Sequence, residues 1–273
     1  MVAYAFAAPS VRHWSRLLCL LCSVAYSIHV TPSGTEGVGI GTAIVSYIEP
    51  HAGAARDFNR WYERDHFPAA VMAGPGAYSG ARFVATRACK AARLGDGLFG
   101  DRQRGSYLSL AWLLPGAQAA WDAWIPGQME TLLSEDRMFA GRDHLHTAVY
   151  QERWGRQAPD APPVALALDH GYPGVIAIAF AGEGEQREVD IAIGSRALVG
   201  ADVPVLVGLS RERLLASVLD VPAHVLLLAF VVGDVLDVWR RVVEPAVTGV
   251  AGVGFAGPFL ATIPGTDTYT DDL

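Results

Sequence analysis

From Val38 onward the chain alternates between short apolar runs and longer amphipathic ones. GIGTAIVSYIE (39–49) is rich in Ile and Val and reads as a strand. AARDFNRWYERDHF (54–67) has helical spacing, and Pro68 should end it, because the residue before a proline avoids the α region. AYSGARFVATR (77–87) reads as a strand, KAARLGDGLFGDRQRG (90–105) as a loop, and SYLSLAWLL (106–114) as a strand. AQAAWDAWIPGQMETLLSE (117–135) is helical, with a kink or early stop at Pro126. LHTAVYQERW (145–154) closes the series as a strand, giving the order β-α-β-β-α-β of a ferredoxin-like split unit.

GRQAPDAPP (155–163) reads as a linker, and a second series comes after it. GVIAIAFAG (174–182), VPVLVGLS (203–210) and HVLLLAFVVG (224–233) are strand-like. EQREVDIAIGSRAL (185–198) fits a helix or a further strand, DVLDVWRRVVEPAV (234–247) a helix, and GVGFAGPFLATIP (252–264) the last strand. SLAWLL (109–114) matches LLAFVV (227–232), and WDAW (121–124) matches LDVW (236–239), so Trp124 and Trp239 are expected at equivalent core positions. A four-stranded sheet with helices on one face leaves its other face bare, and a second copy can cover it. Two such sheets face to face make a barrel, with a pocket between sheet and helices. The expected division is a leader at 1–37, a first domain at 38–154 carrying any site, a linker at 155–170, a diverged second domain at 171–265 and a tail at 266–273.

Composition narrows the classes. The chain has 273 residues, 51% of them hydrophobic and only 18% charged, which describes a core-rich folded protein. A net charge of -7 with scattered basic residues argues against a nucleic-acid binder. Cys19, Cys22 and Cys89 form no disulfide framework, and the Cys19/Cys22 pair has no second pair or nearby histidine to complete a zinc site. Arg12 and Arg16 precede LLCLLCSVAY (17–26), a basic then apolar leader that falls short of the ~20 residues a membrane span needs. The expectation is a disordered or over-extended leader on a cytoplasmic protein, with a signal peptide over 1–27 as the alternative. No membrane association is expected.

The chemistry concentrates in residues 58–66. Asn59, Tyr62 and His66 stand at i, i+3 and i+7 and share one helical face, flanked by Phe58 and Trp61. At a helix C-terminus the macrodipole would favour a protonated His66, and an imidazole titrating near neutrality can take and return a proton. Tyr62 and Asn59 can orient it or donate to an oxyanion. The plainer alternative is a histidine that only caps a helix. His144 and His146 alternate along a strand and so should face one side; H-x-H can bind a metal, but no third ligand is evident and none is expected. Arg82 faces either the pocket or the outer helices. Tyr107 and Trp112 are packing residues that can also line a pocket. GEGEQ (182–186) and GVGFAG (252–257) lack the G-x-G-x-x-G arrangement of a phosphate loop, and no G-x-S-x-G or H-E-x-x-H occurs.

This helix and the turn and strand after it carry a resemblance. Phe58, Asn59, Trp61, Tyr62, His66 and Pro68, then the Pro75-Gly76 turn, then Ser79, Arg82 and Phe83, resemble the EthD-like branch of the dimeric α/β-barrel superfamily. The resemblance covers 41 to about 154 and is specific in the first 45 of these; the second series has no W-Y-x-x-x-H. It implies an α+β fold in which two tandem ferredoxin-like units form an intrachain dimeric barrel-like arrangement. It implies a pocket rather than one reaction, since members include cofactor-free monooxygenases, polyketide cyclases, isomerases and haem enzymes. The expected function is a cofactor-independent acid/base enzyme of monooxygenase, cyclase or isomerase type. Its substrate would be a small hydrophobic aromatic or polyketide-like compound. The alternatives are a non-catalytic binding protein of the same fold and a haem-binding member. His66, Tyr62 and Asn59 would be catalytic; Trp61, Arg82, Tyr107, Trp112 and His146 would contact substrate. No metal and no cofactor are required, and a homodimer stays open.

Overall fold

A computed structural model describes residues 39–95, 98–182, 185–217 and 224–273. The leader at 1–37 lies outside the described residues. Strand β1 (Thr42–Pro50) is followed by α1 (Ala55–Trp61), which continues as a π-helical segment (Tyr62–Met72). Then come β2 (Ala77–Val84), α2 (Arg87–Ala91), β3 (Tyr107–Leu113), α3 (Gln118–Ser134) and β4 (Arg142–Gln157). The second series is β5 (Gly174–Phe180), α4 (Glu185–Gly194), β6 (Val205–Ser217), β7 (Val225–Val231), α5 (Val235–Val238) with a π-helical turn (Trp239–Val243), α6 (Glu244–Val247) and β8 (Val253–Ala261).

The strands form one antiparallel sheet that closes on itself in the order β1-β3-β2-β8-β5-β7-β6-β4. The period-two alternation of the strands explains the closure. Ala43, Val45 and Tyr47 of β1 and Leu108, Leu110 and Trp112 of β3 point into one interior cluster, which takes residues from all eight strands. Ile44 and Ile48, one residue out of phase, point outward under α1 and α3. Ile176, Ile178, Leu206 and Leu227 do the same under α4 and the α5 segment, around the buried Trp239. An open sheet would leave the interior set bare to water; closure buries it.

Several expectations are corrected. Pro68 does not end its helix. The chain turns from α to π geometry at Tyr62, and Ala73 N donates to Pro68 O at 2.9 Å, a π-type step. The wider turn moves the Arg64 carbonyl away from the proline ring, which an α turn would bring into collision. Pro126 does not end α3 either: Trp121 and Leu132 are buried on that helix and Ile125 packs with Trp121, and this burial outweighs the local cost of the proline, about 3 kcal/mol. Arg87–Ala91, read as the edge of a strand and loop, is a short helix capped by Thr86 Oγ1, which accepts from Cys89 N at 3.4 Å. The 155–163 linker begins later, because β4 runs on to Gln157. EQREVDIAIGSRAL resolves as helix followed by a 3-10 turn, not a strand. Trp121, rather than Trp124, is the buried tryptophan of α3. Among the described residues no helix is long and apolar enough to cross a membrane.

Candidate functional site

A cavity of about 250 Å³ lies between the outer face of the sheet, the π-helical segment and α3. Ile44 and Ser46 of β1 form its floor, with His144 and Thr147 of β4. Tyr62, His66 and Ala70 come from the π-helical segment, Trp121, Ile125 and Met129 from α3, and Leu215 and Ala216 from β6 of the second series. Most of this lining is apolar. The polar groups gather around Tyr62, His66, Arg142 and His144.

His66 stacks on Trp61, ring centroids 4.5 Å apart and 27° between planes, and its ring lies 5.2 Å from Tyr62. Its Nδ1 is buried with no hydrogen-bond partner among the described residues. Burial above all, then Arg142 and His144, pushes its pKa down to about 3, with Asp65 pulling weakly the other way. This corrects the expectation of a protonated or near-neutral histidine at a helix end. The helix runs six residues further, to Met72, so no macrodipole terminus faces His66, and the ring is neutral at ordinary pH. Trp61 is itself fixed by donating from Nε1 to Arg137 O at 2.7 Å. Asp65 binds the Arg137 guanidinium.

Tyr62 is buried against Phe58 and Phe67, and burial raises its pKa, opposed by a Ser109 hydrogen bond and by Arg82 and Arg142. Arg142 lies over the Trp61 ring at 4.5 Å and donates from Nε to His144 Nε2 at 3.2 Å. Because arginine is donor-only, His144 Nε2 must accept, so its Nδ1 carries the proton and donates to Thr147 Oγ1 at 3.1 Å. His144 is held neutral, its pKa lowered to about 4 by burial and then by Arg142.

The remaining candidates lie elsewhere. Asn59 is a clasp: its Nδ2 donates to Thr266 O at 3.0 Å, and its Oδ1 accepts from Arg82 Nη2 at 3.1 Å. Arg82 faces the outer helices, over the rings of Tyr62 at 4.9 Å and Tyr107 at 5.4 Å, with Glu63 at 3.8 Å. Tyr107 packs on Phe58 at 5.0 Å. Trp112 and His146 point into the barrel interior, where His146 Nε2 meets Tyr150 Oη at 2.9 Å. His144 and His146 therefore face opposite sides, contrary to strict alternation. Tyr47 pairs with His146 and Ile48 with His144, so Leu145 is an inserted residue, a bulge that flips the face. Sequence parity cannot show such a bulge, and for the same reason it does not mark Arg142 and His144 as pocket residues. Ser46, Thr147 and the β6 contribution carry no sequence signal either. Among the described residues no three His, Cys, Asp or Glu side chains group to hold a metal.

No family model and no curated protein matches the chain. Among solved structures, an anthrone oxidase-like protein is similar over 82% of this chain and 92% of its own, with 11% identity and a TM-score of 0.49. A candidate monooxygenase from Fusobacterium nucleatum subsp. nucleatum is similar over 81% and 92%, with 8% identity and a TM-score of 0.47. Another, from Lactobacillus acidophilus, is similar over 81% and 94%, with 7% identity and a TM-score of 0.42. At such identities the chemistry of the cavity has to be argued from its own residues.

Proposed function

We propose that this protein is an acid/base enzyme that binds a small hydrophobic compound between the π-helical segment, α3 and the sheet and moves a proton with His66. The observation that carries the proposal is the meeting of two neutral imidazoles, a phenol and a guanidinium in an otherwise apolar cavity. A volume of about 250 Å³ sits just below the usual range for small-molecule sites, roughly 300–1,000 Å³, and suits a compound of one or two rings. In the proposed step a substrate C–H or O–H bond breaks and an N–H bond forms on His66. The electron pair stays on the substrate oxygen, as an enolate or phenolate, where Tyr62 donates a hydrogen bond. Arg142 stabilises the same anion. The step itself calls on no cofactor. Oxygenation, cyclisation and isomerisation all begin this way.

The proposal includes an architecture. The neighbour order β4-β1-β3-β2 recurs as β8-β5-β7-β6, which supports reading 38–154 and 171–265 as two ferredoxin-like copies; the EthD-like reading of the first rests on the sequence resemblance. Leu215 and Ala216 reach the cavity from the second copy, so one chain completes the site.

A second reading, a binding protein without chemistry, is favoured by the low pKa of His66, which makes it a weak base. The test is native mass spectrometry of the full chain after incubation in a cell lysate, with the wild type beside His66→Phe, which keeps the stack on Trp61. A ligand retained by both and altered only by the wild type establishes the enzyme. The same ligand unaltered on both establishes the binding protein.

A further inference from the structure

We infer that the occupant of this cavity is a small hydrophobic monoanion, a carboxylate, whose charged head is held by Arg142; the inference rests on the cavity being the functional site. The lining contains one guanidinium and two imidazoles and no Asp or Glu.

The nearby acids are committed elsewhere. Asp65 binds Arg137. Asp143, next to Arg142 in sequence, is directed to His51 at 3.1 Å and Arg104 at 2.5 Å. Arg82 has Glu63 and Arg213 has Asp122, while Arg93 and Arg156 donate to backbone carbonyl oxygens. Arg142 meets only an aromatic face and an imidazole nitrogen, and forms no ion pair among the described residues. A guanidinium offers five N–H donors; here Nε is spent on His144, which leaves the four Nη donors. Those donors form a fork suited to two oxygens of one anion. The stack on Trp61 and the bond to His144 fix the fork before any ligand arrives, so little ordering is lost on binding. Burial of a lone cation is unfavourable, and an anion in the cavity would relieve it.

The same head would change His66. Arg142 is one of the charges that keep its ring neutral. Neutralising Arg142 removes that repulsion, so a bound monoanion shifts His66 toward higher basicity, while burial, the larger cause, stays in place. Neutral compounds of the same shape would leave it weak.

The probes are 2-naphthoate and its neutral isostere 2-naphthamide, titrated into the full chain at pH 7.5 and followed by tryptophan fluorescence and calorimetry. The wild type should bind the acid at least tenfold tighter than the amide. Arg142→Met should remove that preference, with the acid losing at least tenfold more affinity than the amide. Should Arg142→Met misfold, Arg142→Lys replaces it, with the preference expected to shrink because the fork is lost. Equal binding of acid and amide by the wild type overturns the inference while the cavity stands as the site. A preference unchanged in both variants does the same. Binding of neither probe, or probe affinity undisturbed by the cavity-filling Leu215→Trp, overturns the site and the inference together.

Discussion

His66 and Asn59 are seven residues apart and share one face of the sequence's helix, which suggests one job; the structure gives them two. Asn59 is a buried connector. Asn59→Ala removes the amide oxygen that accepts from Arg82 Nη2, and leaving such a buried donor unmet costs about 1–3 kcal/mol. A lowered urea midpoint should report it, with ligand retention little changed. His66→Phe keeps the contact with Trp61 and should cost less than about 1.5 kcal/mol in the same measurement, while ending any turnover. In the wild type, NMR titration should find His66 neutral down to about pH 4, and Arg142→Gln should raise its pKa by removing a neighbouring charge. Tyr62 and His66 are legible in the sequence because polar groups amid aromatics on one helical face need partners. Arg142 and His144 are not, since a single inserted residue, Leu145, decides which face they join.

At the scale of the element, the informative departure is the π-helical stretch. An α-helix would end at Pro68; the wider one carries Ala70 and Met72 onward against the sheet. Contact there is tight. A Cβ on Gly80 would stand 2.6 Å from Met72 Sδ and 2.7 Å from Phe67 Cζ, so β2 can only be small at this point. Gly80→Val should therefore lift the segment from the sheet, at a cost of about 1–3 kcal/mol, and weaken retention of any ligand held by His66. Unchanged unfolding and binding would show that the segment yields freely. Strand and helix identities are mostly legible, because strand alternation and helical spacing are local properties. Where the local signal misleads, at Pro68, Pro126 and Arg87–Ala91, tertiary burial or a capping hydroxyl overrides it. The extension of β6 to Ser217, which brings Leu215 to the cavity, depends on pairing with β4 and has no local signature.

At the scale of the molecule, burial of titratable groups sets the response to pH. His66, His144 and His146 have pKa values lowered to about 3, 4 and 4. The unfolded chain takes up protons near pH 6.5 that the folded chain refuses, so their contribution is intact above that pH and declines as pH falls toward 4. Each imidazole contributes a slope of at most about 1.4 kcal/mol per pH unit. Glu152, pushed up to about 7 by burial, acts in the opposite sense: its contribution is present at low pH and lost between about 4.5 and 7. It offsets one imidazole of the three. Urea midpoints should therefore drop from pH 7 to pH 5; a level profile would contradict the burial described. The closure of the sheet is foreseeable from sequence, since a bare apolar face has to be covered, but the unequal joints are not. β4 and β6 pair from Thr147↔Ala216 to Gln157↔Val205, whereas β2 and β8 meet only at Phe83↔Ala261 and Val84↔Leu260. The segment after β8 straps this short joint: Thr262 N donates to Arg82 O at 3.0 Å, and Asp267 and Asp272 bind Arg60 and Arg87. A barrel with one short stave joint breathes there first. Deuterium should enter the β2–β8 amides before those of β4, and neutralising Asp267 should hasten that entry; equal exchange along both joints would show that the strap makes up for the short pairing.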